Sequence, residues 1–233
     1  MKEILKIGFS ELGIAPDDAA YDRYDTYFEY LEEQNAVMNL TAISGEENVA
    51  RLHFLDCAAL LKSVELKGKR LIDVGTGAGF PGLALKIAEP SIDLTLLDSL
   101  NKRIDFLNET CTRLGFSDVA CIHARAEEAP AELRGSFDVV TSRAVARLNV
   151  LCELCLPFLK VGGMFIAMKG PDCADELEEA KNALHVLGAE HRGTLTYTIP
   201  DTDIVHSAVL IEKTKPTHPM YPRKWAQIKK RPL

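Results

Sequence analysis

Through residue 65 the apolar positions of this chain recur every three or four residues. Tyr24, Tyr27, Phe28 and Leu31 share one face, the spacing of an amphipathic helix. Pro16 followed by Asp17 and Asp18 suits that helix's first turn, where a missing N–H costs nothing and acids meet the positive end of the dipole. Ser44-Gly45-Glu46-Glu47 has the form of a capping box and predicts a further helix through Leu52, Leu55 and Leu60. From Lys69 the period changes. Residues 70–74, 93–97, 119–123, 137–142 and 163–168 are short, mostly apolar runs rich in β-branched side chains, with helical stretches between them. This alternation predicts parallel strands joined by crossover helices, an α/β fold with a doubly wound, mostly parallel sheet. Residues 194–199 and 204–212 have only Pro200-Asp201-Thr202-Asp203 between them, which predicts a closing hairpin and an antiparallel last strand. The chain thus divides into a helical region (1–65), an α/β domain (66–213) and a tail (214–233).

Composition adds limits. At 47% hydrophobic and 26% charged, 233 residues suffice for one sizeable core. No apolar stretch approaches the roughly 18 residues of a membrane span. The first residues carry Glu3 and Glu11 and lack a secretory signal's apolar run, so a cytoplasmic location without membrane attachment is expected. Of the six cysteines, Cys152 and Cys155 form a C-x-x-C, with no second pair or histidine pair to complete a zinc site. No metal is expected, and both read as half-buried thiols in a helix. The net charge of −7 is unevenly spread. Residues 1–40 hold three Lys/Arg against nine Asp/Glu, whereas 213–233 hold seven Lys/Arg and no acid. A basic tail on an acidic body is either a local footprint for a polyanion or a solvated terminus, and charge alone leaves both open.

The residues that carry chemistry begin at Leu71-Ile72-Asp73-Val74-Gly75-Thr76-Gly77-Ala78-Gly79-Phe80-Pro81-Gly82. A buried strand runs into a turn where Gly75, Gly77 and Gly79 permit positive φ and let a ligand approach the backbone. A helix starts where Pro81 fits its first turn. Nineteen residues beyond Gly79, Asp98 ends the second strand, where a carboxylate accepts hydrogen bonds from ribose hydroxyls. Gly77-Ala78-Gly79-Phe80-Pro81-Gly82 formally matches the G-x-G-x-x-G of nicotinamide dinucleotide sites. Against that, Asp73 stands just before the turn, where it repels a pyrophosphate and attracts the amino group or sulfonium of S-adenosyl-L-methionine. The first glycine of the turn, Gly75, also shifts the register by two. A parallel sheet finished by a hairpin is common in methyltransferases, which places an S-adenosyl-L-methionine-dependent transferase ahead of a nicotinamide oxidoreductase. After the third strand, Arg125-Ala126-Glu127-Glu128 lies beside the crevice at the strands' carboxyl ends, where a backbone N–H or a carboxylate can pair with adenine edges.

Thr141-Ser142-Arg143-Ala144 closes the fourth strand without the Asn/Asp-Pro-Pro-aromatic run of many amino-group methyltransferases. Cys155 and Pro157 fall inside or after a helix, not in a loop that could present a nucleophile to a pyrimidine carbon. This favours a target that needs neither a covalent adduct nor proton removal, such as a ring nitrogen with a free lone pair. Alignment and exclusion of water then carry the catalysis. Arg143 can donate to the cofactor carboxylate or the target base, and Lys169 ends the fifth strand on the same rim; these two are the candidate catalytic residues. Lys102, Arg103, Arg143, Arg147 and Lys169 together would form a basic mouth. Phe80 and Trp225 are candidates for stacking on a base.

Several segments run in order across almost the whole chain: Asn39-Leu40-Thr41-Ala42, His53-Phe54-Leu55-Asp56, the glycine loop with Phe80-Pro81-Gly82, residues 96–103, 125–128 and 142–144, Lys169-Gly170 and Tyr221-Pro222-Arg223-Lys224. Together they resemble the bacterial small-subunit rRNA guanine-N7-methyltransferases (GidB/RsmG). The resemblance implies a seven-stranded, Rossmann-like class I S-adenosyl-L-methionine-dependent methyltransferase fold with an N-terminal helical extension. It implies methylation of one guanine in the 530-loop of 16S rRNA, within a small ribosomal subunit or an assembly intermediate. It further implies cofactor contacts at Gly75, Phe80, Ala126, Glu127 and Arg143, with Asp98 at the ribose. The chain departs from the family at Leu52, at Cys57, and at Ala226 and Ile228 in the tail. His53 and Asp56 either brace the helical part against the sheet or face RNA. A small-molecule methyltransferase, suggested by the acidic net charge, and a non-enzymatic ligand sensor are the alternatives.

Overall fold

The apolar runs form strands β1 (Arg70–Val74), β2 (Asp93–Asp98), β3 (Ala120–His123), β4 (Phe137–Arg143) and β5 (Leu159–Lys169), all parallel in their pairings with one another. β6 (Ala189–Thr198) and β7 (Val205–Lys213) make the hairpin, and β7 runs antiparallel to β5. The computed structural model, which describes residues 1–143 and 145–233, joins them in one sheet of order β3-β2-β1-β4-β5-β7-β6. Ala144, the end of the Ser142-Arg143-Ala144 segment, lies outside the described residues.

Neighbouring residues on the central strands enter different cores, as a sheet covered on both faces requires. Leu71, Leu96, Val139 and Ile166 face the N-terminal helices α1 (Lys2–Leu12) and α2 (Asp18–Met38). The same core takes a bent helical stretch made of α3 (Glu46–Val49), a π-helical segment Ala50–Leu55, α4 (Asp56–Ala58) and a 3-10 turn Ala59–Lys62, together with α5 (Gly82–Ala88) and α6 (Asn101–Leu114). Ile72, Leu97, Val140 and Phe165 face the other core, under α7 (Leu148–Cys155), α8 (Ala174–Leu187) and α9 (Trp225–Lys230). Residues 1–65 are therefore a layer sharing the sheet's own core. Tyr24 Oη, fully buried, donates to the Ala84 carbonyl at 2.8 Å. Strand order reverses between β1 and β4, so their carboxyl ends part and leave a crevice with Gly75 on one side and Arg143 on the other.

Three local expectations change. α2 begins at Asp18 and is capped by Asp17, whose carboxylate accepts from Ala20 N at 2.8 Å, so Pro16 precedes the cap instead of filling the first turn. The capping box at Ser44 does not form: Gly45, at φ 82°, takes the cap position, and its N–H donates to Glu32 at 3.3 Å. β5 begins at Leu159, four residues before 163, because Leu159 pairs with Phe137 across an irregular register.

The tail is docked and not frayed. Arg223 makes a bidentate pair with the fully buried Glu153, Nε to Oε1 at 2.8 Å and Nη2 to Oε2 at 2.6 Å, and Ile228 is fully buried. Cys152 and Cys155 are fully buried in α7, and burial pushes the Cys152 thiol up to about 12. Among the described residues no group of three His, Cys, Asp or Glu could hold a metal ion, and no helix is long and apolar enough to cross a membrane.

Candidate active site

β1 delivers Asp73 to the base of the glycine turn. Its fully buried carboxylate accepts from Thr76 Oγ1 at 2.6 Å, Gly82 N at 3.0 Å and Thr141 Oγ1 at 2.9 Å. Burial pushes its pKa up, and these donors oppose that shift. Asp73 lines neither cavity of the crevice, so it braces the turn from below and does not face a cationic ligand as expected. The glycines divide likewise. Gly75 and Gly77, at φ 70° and 62°, line the crevice. Gly79 does not: a Cβ there would lie 2.5 Å from Tyr27 Oη and 3.0 Å from Leu107 Cδ2. Its lack of a side chain serves the packing of α2 and α6 on the turn.

The crevice contains cavities of about 790 Å³ and 240 Å³ that share Gly75, Asp98, Ser99 and Val145. Asp98 stands between them and accepts from Gly77 N at 2.9 Å, Leu100 N at 3.0 Å and Arg103 Nη1 at 3.3 Å. Ala126, Glu127 and Trp225 line the smaller cavity. There Glu127 Oε1 is buried without a hydrogen-bond partner among the described residues; Arg125 Nη1, at 3.6 Å, is beyond hydrogen-bond range. An orphaned buried acceptor beside an open glycine backbone fits a nucleoside donor group, and so the residues present fit S-adenosyl-L-methionine.

Arg143 governs the rim of the larger cavity. Its guanidinium donates to Leu52 O at 3.3 Å, Asp56 Oδ2 at 3.1 Å and His53 Nδ1 at 2.6 Å, and stands 5.1 Å from the centre of the Phe80 ring. Arginine can only donate, so His53 Nδ1 accepts and the ring proton sits on Nε2, which donates to Thr41 Oγ1 at 2.9 Å. Burial, then the guanidinium, push the His53 pKa down to about 3. Asp56, 1% exposed, also accepts from Tyr197 Oη and His206 Nδ1, each at 2.9 Å. The Asp56 hydrogen bond raises the pKa of His206, which lines the cavity. One carboxylate thus ties the helical layer to β4, β6 and β7. Local spacing held no signal for Tyr197 and His206, which lie 141 and 150 residues from Asp56.

Phe80 is 4% exposed and stacks on His53 and Tyr27, with ring centres 4.2 Å and 5.4 Å away. It lines the larger cavity but is packed too closely to stack on a target base. The expected basic mouth is largely neutralised. Lys169 Nζ, also on the cavity wall, meets Glu176 at 2.7 Å and Ala146 O at 2.8 Å, Arg147 meets Glu179 at 2.8 Å, and Arg103 and Arg143 meet Asp98 and Asp56. Of the exposed cations without a carboxylate partner among the described residues, Lys215, Lys224, Lys229, Lys230 and Arg231 cluster in the tail; Lys6, Lys62, Lys67, Lys69 and Lys102 are scattered elsewhere, and Lys102 Nζ donates to the Met38 carbonyl at 3.2 Å.

Residues 21–205 match the family model described as rRNA small subunit methyltransferase G. A relative from Alkaliphilus metalliredigens, named Ribosomal RNA small subunit methyltransferase G, is 49% identical over 235 residues, covering 100% of this chain and 98% of that protein. One of the same name from Clostridium perfringens is 44% identical over 234 residues, covering 99% and 98%. Among solved structures, M. jannaschii TYW2 in complex with AdoMet superposes with a TM-score of 0.53 at 15% identity, over 64% of this chain and 71% of that one, a likeness of fold.

Proposed function

Since the chain belongs to the rRNA small subunit methyltransferase G family and takes S-adenosyl-L-methionine as its methyl donor, we propose that it methylates nitrogen 7 of a guanine in the 530-loop of 16S rRNA. It acts in the cytoplasm on a small ribosomal subunit or an assembly intermediate. The bound cofactor supplies an electrophilic methyl group. Gly75 and Gly77 leave their backbone open to it, Asp98 receives the ribose hydroxyls, and Ala126 and Glu127 take the adenine edge. Arg143 donates to the methionine carboxylate or to the target base, and Lys169 lies beside it on the same rim.

One observation carries this reading: the proton acceptors in the wall of the larger cavity are engaged. Asp56 and Asp98 each accept from three donors. His53 is neutral with both ring nitrogens bonded, and His206 is held toward its protonated form by Asp56. Such a wall is poorly suited to deprotonating an exocyclic amine, whereas guanine nitrogen 7 attacks with a lone pair it already has. Alignment and exclusion of water are then the enzyme's contribution. The unpaired cations of the tail meet RNA phosphates.

Mapping of 7-methylguanine in small-subunit rRNA from strains with and without the gene tests the proposal. Loss of one modified guanine supports it, and an unchanged map rejects it. The net charge of −7 favours a second reading, a small-molecule methyltransferase, which requires turnover without ribosomal material and rates indifferent to salt.

A further inference from the structure

Trp225 comes to the crevice from the far end of the chain. It opens α9 and lines the smaller cavity together with Ala126, Glu127 and Asp98. Its position is set from both sides along the sequence. Before it, Arg223 is clamped on the buried Glu153, and Arg134 Nη1 donates to the Tyr221 carbonyl at 2.5 Å. After it, Ile228 is sunk in the core beneath α7 and α8. Trp225 remains 36% exposed, although the chain on either side is fixed. Across the same cavity Glu127 Oε1 is buried without a hydrogen-bond partner among the described residues, Arg125 Nη1 standing 3.6 Å away.

The cavity therefore offers a flat apolar surface and an acceptor that lacks a donor, close to the carboxylate that the ribose reading assigns to Asp98. A purine carrying an exocyclic amine answers both features. An aliphatic chain would leave Glu127 without a hydrogen-bond donor. We propose that the C-terminal segment completes the cofactor site, with Trp225 packing on the adenine of bound S-adenosyl-L-methionine. The inference rests on the cofactor occupying the crevice as described above. It gives the tail a role besides its charge: the segment that carries the RNA-facing cations also walls the methyl donor's pocket.

Trp225 is the chain's single tryptophan, so its emission reports on this contact alone. The full-length protein is titrated with S-adenosyl-L-methionine, with calorimetry and tryptophan emission followed on the same samples. Emission is expected to change with the calorimetric Kd, and L-methionine, which lacks the purine, is expected to leave it unchanged. Trp225→Ala is expected to weaken S-adenosyl-L-methionine binding about tenfold or more, and Trp225→Phe to weaken it less, with the thermal midpoint of the ligand-free protein close to wild type in both. Full affinity in Trp225→Ala overturns the proposal, whatever the emission does. Absence of binding heat in the wild-type protein removes the cofactor assignment itself, and the proposal with it.

Discussion

Arg143 and His53 are joined by a 2.6 Å hydrogen bond in which the guanidinium donates to Nδ1. That contact fixes the imidazole tautomer, and with the Asp56 and Leu52 bonds it locks the end of β4 to the bent helical stretch above the crevice.

Arg143→Lys is expected to fail despite keeping the charge. An ammonium cannot reproduce a planar fork that serves three acceptors, and it leaves His53 Nδ1 or Asp56 short of a donor. S-adenosyl-L-methionine affinity, measured by calorimetry, should fall at least tenfold and methyl transfer with it. Wild-type affinity in this variant would remove Arg143 from the site.

Stability should fall in mild acid because of His53. Its folded pKa is pushed from 6.5 to about 3, so the unfolded chain binds the extra proton between those values. The contribution is complete above pH 6.5 and is lost as pH falls, by about 2 kcal/mol at about pH 5. His206 works in the opposite sense: its pKa is raised, so its contribution is complete below 6.5 and is lost as pH rises through the folded value. Denaturant unfolding at pH 7 and pH 5 should show wild type losing about 2 kcal/mol more than His53→Gln. Equal losses would show that the imidazole is not held neutral.

The three turn glycines should separate by substitution. Gly79→Ala drives a Cβ against Tyr27 Oη and should cost about 1–3 kcal/mol of stability. At Gly77 no protein atom lies within 4 Å of an added Cβ, so Gly77→Ala should lower stability by only the roughly 1–2 kcal/mol of positive-φ strain while weakening cofactor binding. Gly75→Arg, where even a Cβ would meet Val145 Cγ2 at 2.6 Å, should abolish cofactor binding. Calorimetry beside thermal melts reads all three; undiminished binding in Gly75→Arg would mean that the pocket lies elsewhere.

Charge reversal in the tail should act on RNA alone. Lys229→Glu with Lys230→Glu is expected to weaken binding to small-subunit RNA and to flatten its dependence on salt, with cofactor affinity unchanged. A salt slope equal to wild type would place the RNA contacts on another surface.

The sheet was legible because its signals are local. Strand runs, the four residues at the hairpin and the glycine turn before Asp98 are read within short windows, and the observed strands follow them, except that β5 and β6 begin four and five residues earlier than the apolar runs at 163 and 194. The capping box failed because a glycine free to adopt φ 82° competed for the cap one residue later. Asp73 and Gly79 misled for a different reason: the sequence marks a turn that needs an acid and a glycine, yet does not say whether each faces ligand or packing. Tyr27 decides it for Gly79, and Thr76, Gly82 and Thr141 decide it for Asp73. The Asp56 junction and the seat of Trp225 depend on partners brought together only by the finished fold.

The most direct measurement supplies the purified protein with methyl-labelled S-adenosyl-L-methionine and small subunits isolated from cells lacking the gene, then locates the label by mass spectrometry of the digested 16S rRNA. Label on nitrogen 7 of a single guanine in the 530-loop fragment is the expected result. Label on an exocyclic amine or a ring carbon, or no transfer to RNA, would contradict a site built to methylate without removing a proton.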